Sequence, residues 1–115
     1  MPVREPVTMT LEEYMAEAER RFGPDRLNWR WVCPACHHVA SAREYKDAGA
    51  PSSAPGLDCI GRYGNLQRRT AFGTNSEGPG PCDYSSGGLF NVNPVRVSHE
   101  GRDHYVFELA PPVTA

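Results

Sequence analysis

Apolar side chains recur every three to four positions near the start of the chain, which is the spacing of one helix face. This face consists of Leu11, Tyr14, Met15, Ala18 and Phe22. Thr10 and Glu13 stand at capping-box spacing, where each side chain accepts a hydrogen bond from the other residue's backbone. Gly23 and Pro24 are residues that end a helix. The pattern therefore predicts an amphipathic helix between Thr10 and Gly23.

Alternation replaces this periodicity in the next segment. Residues 28–32 (NWRWV) alternate weakly and are rich in β-forming side chains, so they predict a strand. The strand runs into a turn of sequence CPAC at residues 33–36, and Val39 and Ala40 follow as a short returning strand. These residues predict a hairpin whose turn carries two cysteines.

A second short helix is predicted after this hairpin. Ser41 and Glu44 repeat the capping-box spacing, and the helix extends to about Ala48. Glycine, proline and serine dominate residues 50–56 and 73–88, which predicts irregular loops. Residues 57–66 fit neither periodicity, so the pattern leaves their structure open.

Alternating apolar residues return near the C-terminus. They are Val95 and Val97 on one side of residues 99–103, and Tyr105, Phe107 and Leu109 on the other. Because the intervening segment contains Gly101, the pattern predicts a β-hairpin with these apolar residues on its inner face. Residues 1–9 and 111–115 are expected to be flexible ends.

The four cysteines are the main source of candidate chemistry. Cys33 and Cys36 have the C-x₂-C spacing of zinc ligands, and Cys59 and Cys82 can complete one tetrahedral site. We expect a structural Zn²⁺ ion on these four thiolates. A disulfide framework in a secreted protein and a redox C-x₂-C pair are the alternatives. His37 or His38 could also replace a cysteine as a ligand.

Length and composition favour a metal-stabilised fold. The chain has 115 residues with eleven glycines and eleven prolines, so its core is thin. We predict one small zinc-stabilised α+β domain over residues 1–115, with an N-terminal amphipathic helix, a zinc-knuckle region and a C-terminal β-hairpin. No apolar run approaches the ~20 residues of a membrane span, and residues 1–10 carry no signal-peptide pattern. A cytoplasmic protein without a membrane partner is therefore expected.

A site closed by four cysteines leaves no position for water or substrate, so we expect no enzymatic activity. A zinc-dependent hydrolase or deaminase is the less favoured reading, because it needs three protein ligands and a bound water. The deaminase pattern is also incomplete, since Val32 precedes Cys33 and no His-x-Glu stands before it.

Basic residues concentrate in the middle of the chain. Residues 26–72 carry seven basic and three acidic side chains, although the formal net charge of the whole chain is −2. The alternative function is therefore nucleic-acid binding through a zinc-ribbon-like fold. The residues that would bind are Arg62, Tyr63, Arg68 and Arg69.

Several segments together resemble a known group of proteins. They include WRWVCPACHH at residues 29–38, CIGRY at 59–63, CDY at 82–84 and GLF at 88–90. The chain resembles small phage and prophage proteins with this four-cysteine layout, although His37 stands where a glycine is common. The resemblance implies zinc binding by the four cysteines and a gene product that acts in the cytoplasm of a phage-infected bacterium. The protein is expected to be a non-catalytic accessory protein that binds a host or phage macromolecule. Interference with a host defence or another host process is one form that this role could take.

Overall fold

The computed structural model describes residues 7–72, 76, 78, 80–87 and 92–111. Two α-helices, two short 3₁₀ helices and two three-stranded sheets make up its regular structure. Their bounds in chain order are β1 Val7–Thr10, α1 Leu11–Phe22, 3₁₀ Arg26–Asn28, β2 Arg30–Val32, β3 Val39–Ser41, α2 Ala42–Asp47, 3₁₀ Ile60–Arg62, β4 Val95–His99, β5 Arg102–Val106 and β6 Glu108–Leu109. The predicted small α+β fold is confirmed.

Both predicted capping boxes are present. The Glu13 amide donates to Thr10 Oγ1 at 3.1 Å, and the Thr10 amide donates to Glu13 Oε1 at 2.9 Å, at the start of α1. Ser41 and Glu44 make the same reciprocal pair at 3.2 and 3.0 Å before α2. At the other end of α1 the Gly23 amide donates to the Glu19 carbonyl at 2.7 Å. Local sequence therefore fixes where both helices begin.

The first sheet has the order β1-β4-β5, with β1 parallel and β5 antiparallel to β4. The expectation of a flexible end over residues 1–9 is wrong for Val7, Thr8 and Met9, which belong to β1. Their β-forming side chains pair with β4, and the Val7 amide donates to the Pro94 carbonyl at 3.0 Å. Residues 1–6 and 112–115 lie outside the described residues.

The predicted hairpin is present, but its second strand presents the opposite face. Glu100 and Gly101 form a two-residue turn with φ of 51° and 76°, the conformation that suits a twisted hairpin. Tyr105 pairs with Arg96, so it lies on the face opposite the buried Val95 and is 40% exposed. A strand's side chains alternate, so a shift of one residue inverts which of them face the core.

The chain leaves the first sheet at Phe107 and enters the second. There β6 pairs with β2, which also pairs with β3, so the order is β3-β2-β6. Trp31 lies opposite both Ala40 and Leu109, and all three side chains are buried. The C-terminus therefore completes the sheet that carries the CPAC turn.

The core extends from this sheet into a long irregular segment. Trp31 and Tyr45 make an edge-to-face ring contact at 6.5 Å, and Tyr84 and Phe107 pack at 5.8 Å. Between α2 and β4, the described residues form one 3₁₀ helix and an isolated bridge from Asp58 to Ser85. In the part of the chain that the structure describes, no helix is both long and apolar enough to cross a membrane.

Candidate metal centre

The four cysteines converge in the core from three separate stretches of the chain. Cys33, Cys36, Cys59 and Cys82 are 2, 7, 1 and 0% exposed. Their sulfur atoms all lie within 4.8 Å of one another. Neither His37 nor His38 belongs to this group. The structure therefore brings together the four residues that the sequence assigned to one site.

The distances between the sulfur atoms fit a single tetrahedral ion. Cys33 Sγ lies 3.7 Å from Cys82 Sγ, and Cys36 Sγ lies 3.7 Å from Cys59 Sγ. A tetrahedron with metal–sulfur bonds of about 2.3 Å has edges of about 3.8 Å. A disulfide bond is far shorter, at about 2.05 Å, and all four cysteines are free thiols. The donor set and its spacing can thus hold a thiophilic metal ion.

The turn at residues 33–36 places the first two sulfur atoms. The Cys33 amide donates to the His38 carbonyl at 3.0 Å, and the His37 amide donates to the Cys33 carbonyl at 2.8 Å. His37 has a φ of 64°, in the left-handed region that favours glycine. This explains why a glycine suits the position and why His37 projects into solvent instead of toward the sulfur atoms.

Backbone N–H groups point at the sulfur atoms, as expected around thiolates. The Tyr84 amide donates to Cys82 Sγ at 3.4 Å. The backbone N–H groups of Cys36, His38 and Gly61 likewise act to lower the pKa of the Cys33, Cys36 and Cys59 thiols, respectively. Such donors stabilise negative charge on sulfur and orient the side chain for a metal.

The thiols also interact strongly with one another. The neighbouring Cys33 thiol lowers the pKa of Cys36, whereas the neighbouring thiols of Cys36, Cys59 and Cys82 raise the pKa of Cys33. Four negative charges at this spacing repel each other, so the metal-free cluster keeps part of its protons. A divalent cation reverses that balance and releases them.

Gly61 allows the segments of the third and fourth cysteines to touch. A β-carbon on Gly61 would lie 2.0 Å from the carbonyl oxygen of Cys82, which no side chain can occupy. The Gly61 backbone N–H also acts to lower the pKa of the Cys59 thiol. The two backbones are therefore packed directly against each other, and only glycine fits between them.

Asp58, which the sequence analysis did not single out, connects three elements around Cys59. Its carbonyl accepts from the Tyr45 hydroxyl at 2.6 Å. Its carboxylate accepts from the Tyr63 hydroxyl at 2.6 Å and from the Ser85 hydroxyl at 2.8 Å. The only sequence signal for this role is that Asp58 directly precedes a predicted ligand.

A second aspartate supports the fourth ligand in a similar way. Asp83 Oδ1 accepts from the Ala71 amide at 2.7 Å, and its carbonyl accepts from Arg62 at 3.0 Å. Next to it, the buried Tyr84 hydroxyl donates to Asn93 at 2.9 Å. Polar side chains thus replace regular secondary structure around Cys82.

The four residues assigned to nucleic acid divide into two pairs. Arg62 and Arg68 are exposed. Tyr63 directs its hydroxyl to Asp58, and burial together with this bond raises its pKa. Arg69 is half-buried and donates to three backbone carbonyls. All four side chains therefore make hydrogen bonds within the chain, but only Arg62 and Arg68 are exposed to solvent.

Comparison with known proteins places the chain in one family. Residues 10–110 match the model of the VVA0879-like family. The matched region includes both helices, all six strands except the first residues of β1, and the four cysteines. No curated protein and no solved structure matches the chain. The protein belongs to the VVA0879-like family.

Proposed function

We propose that the four cysteines hold one structural Zn²⁺ ion and that the protein acts without catalysis, by binding another macromolecule. The observation that carries the metal assignment is the set of four buried sulfur atoms within 4.8 Å of one another, two pairs of which lie 3.7 Å apart, close to the edge length of a tetrahedral site. Zinc suits an all-thiolate tetrahedron because it is borderline-soft and imposes no other geometry.

The absence of enzymatic activity follows from this ligand set. With four cysteine thiolates the coordination sphere is full, so neither a water molecule nor a substrate can reach the metal. A hydrolase or a deaminase would need one of the four positions to be open. The cysteines are at most 7% exposed, which also favours a role in holding the fold together.

The binding role rests on the resemblance to phage and prophage proteins. We place the protein in the cytoplasm of an infected bacterium, where a reducing environment keeps cysteines available for a metal. The partner proposed is a host or phage protein, and countering a host defence or process is one form of the role. A formal net charge of −2 favours a protein partner over nucleic acid.

One observation keeps nucleic-acid binding as a second candidate. Arg62 and Arg68 are exposed, and so is Phe72, whose ring is 47% exposed. Exposed arginines and an aromatic ring can contact phosphates and stack on a base. The partial burial and internal hydrogen bonds of Tyr63 and Arg69 weaken this candidate, because only two of the four predicted residues are exposed. Arg62, one of those two, also donates to the Asp83 carbonyl.

Native mass spectrometry tests the metal assignment. We expect the mass of the purified protein to exceed that of the polypeptide by the mass of one zinc ion less the two protons that its charge replaces. Alkylation should modify none of the cysteines until the metal is removed. A metal-free mass, or a thiol that reacts as fast as one in the unfolded chain, would overturn the structural zinc site.

Binding measurements separate the two partner classes. Fluorescence anisotropy with labelled single-stranded DNA, duplex DNA and RNA should show no binding at moderate salt if the partner is a protein. Binding that weakens as salt increases, and that is lost in an Arg62→Ala/Arg68→Ala double variant, would instead support nucleic acid. Affinity capture from infected cells with the wild-type protein, compared with its metal-free form, tests whether a protein partner needs the intact fold.

A further inference from the structure

Arg69 differs from its neighbour Arg68 in what its guanidinium touches. Arg69 Nε donates to the Gly80 carbonyl at 2.9 Å, Nη1 to the Ser76 carbonyl at 2.9 Å, and Nη2 to the Cys36 carbonyl at 2.6 Å. Arg68 is exposed and donates only to the carbonyls of nearby Asn65 and Gln67. The two adjacent arginines therefore have different surroundings.

The three carbonyls that Arg69 contacts belong to two parts of the metal centre. Cys36 is the second cysteine of the CPAC turn. Ser76 and Gly80 stand in the segment that leads to Cys82, the fourth ligand. The backbone reinforces this connection, because the amides of Arg68 and Arg69 both donate to the Pro81 carbonyl, at 2.9 and 3.3 Å. Arg69 thus joins the first ligand turn to the approach of the last ligand.

The chemistry of the guanidinium suits this task. It is planar, carries five N–H donors in a fixed arrangement and remains charged at every relevant pH. A lysine amine has three donors on a flexible chain and cannot match three carbonyls in one plane. The positive charge also lies beside a centre that would carry a formal charge of −2 with one zinc ion on four thiolates.

We propose that Arg69 is a positioning residue of the metal centre, which holds the Cys82 segment against the CPAC turn so that the fourth sulfur is in place when the ion binds. This inference rests on the proposed metal centre and deepens it. The segment needs such a support because, between Cys59 and Cys82, the described residues form little regular structure. Arg69 belongs to the tandem that the sequence assigned to phosphate binding.

The test compares zinc affinity in four variants by competition with a chromophoric chelator. Arg69→Ala and Arg69→Lys should weaken zinc binding by about 10- to 100-fold, the usual effect of removing a residue that orients a ligand. Arg68→Ala, the matched control, should leave affinity within about twofold of the wild type. Val97→Ala, in the core of the first sheet, controls for a general loss of stability.

The Co²⁺-substituted proteins give a second readout that a general structural defect would not produce. At limiting Co²⁺, the wild type should show the absorption of a four-sulfur tetrahedral ion. Arg69→Ala should show, per bound Co²⁺, the weaker sulfur charge transfer of an incomplete ligand set, because the fraction of bound ions that lack the Cys82 sulfur does not depend on the Co²⁺ concentration. Val97→Ala should retain the wild-type spectrum throughout.

Three results would overturn the proposal: unchanged zinc affinity in Arg69→Ala, wild-type affinity in Arg69→Lys, or an equal loss of affinity in Val97→Ala. If Arg69→Ala does not fold, the zinc affinity of Arg69→Lys still tests the proposal.

Alkylation of the metal-free proteins gives a readout that does not depend on metal loading. In these proteins Cys82 should react faster relative to Cys33 when Arg69 is replaced. A wild-type protein without zinc would overturn the metal centre itself, a failure distinct from these three.

Discussion

The first sheet with α1 and the irregular segment around the cysteines are built in different ways. The sheet consists of β1, β4 and β5, whose backbones pair along their length. Residues 48–87 have one 3₁₀ helix and one isolated bridge among those described, yet Cys59, Ile60, Cys82 and Tyr84 are at most 2% exposed. Deep burial in this protein therefore does not depend on regular structure.

The difference lies in what satisfies the backbone polar groups. In the sheet, strand neighbours do so, and the loss of one side chain leaves the ladder intact. In the irregular segment, backbone hydrogen bonds within turns and between loops are supplemented by side-chain donors. Tyr45, for example, donates to the Asp58 carbonyl, and Arg69 donates to three other carbonyls. A buried carbonyl that loses its partner costs about 1–3 kcal/mol. Side-chain substitutions should therefore be more harmful near the cysteines.

The largest effect is expected from the loss of a ligand. Cys82→Ser replaces a thiolate by a hydroxyl that binds zinc poorly, and the free energy of a structural zinc site is on the order of 10 kcal/mol. We expect zinc affinity to fall by at least about 100-fold and amide hydrogen exchange to increase first in residues 57–87. An exchange pattern that stays unchanged there, or that increases equally in β4, would contradict the contrast between the two regions.

Gly61→Ala should be nearly as harmful, because its β-carbon would overlap the Cys82 carbonyl. The two ligand segments must then separate, so we expect weaker zinc binding and a loss of more than about 3 kcal/mol in stability. Gly87→Ala is the matched control, since its β-carbon would meet only Ser85 Oγ at 3.8 Å. Chemical denaturation of both zinc-loaded variants measures the difference, and equal midpoints would refute the close packing.

The two tyrosine hydroxyls on Asp58 offer a finer comparison. Tyr45 is buried, so Tyr45→Phe leaves the Asp58 carbonyl without its donor where water has little access. This variant should lose about 1–2 kcal/mol of stability. Tyr63→Phe removes a bond made by a less buried tyrosine, which water can replace, and should cost less than about 1 kcal/mol. Urea denaturation distinguishes them, and a reversed order would show that burial does not set the cost.

The smallest effect is expected at the cap of α1. Thr10→Ala removes the acceptor for the Glu13 amide and should cost about 1 kcal/mol. Because the cap lies in the regular part of the molecule, zinc affinity should stay within about twofold of the wild type. Thermal unfolding and chelator competition on the same variant check both statements. A large loss of zinc affinity would show that the two regions are strongly coupled.

The sequence predicts those features that depend on neighbouring residues. The capping boxes at Thr10 and Ser41 locate both helices, and the CPAC turn with its returning strand follows from a short segment. The convergence of Cys59 and Cys82 on that turn follows from cysteine chemistry, not from the surrounding pattern. The capping boxes and the turn depend on residues only a few positions apart in the sequence. The metal site depends on cysteine, a residue type that has few other roles in such a cluster.

The remaining features depend on contacts between distant segments. Val7 joins a strand because β4, far along the chain, offers an edge. Tyr105 faces outward because the turn at Glu100 sets the register of β5, and alternation alone cannot tell which face is buried. Arg69 and Arg68 are adjacent residues of the same type, and only the contacts of Arg69 with Ser76, Gly80 and Cys36 separate their roles. The spacing of residue types along the chain does not reveal such contacts.

X-ray absorption at the zinc edge of the purified protein shows directly whether four sulfur atoms bind one ion. We expect a single shell of four sulfur scatterers at about 2.3 Å from zinc. A shell with three sulfur atoms and one nitrogen or oxygen atom would open the site to water and contradict the closed, structural centre.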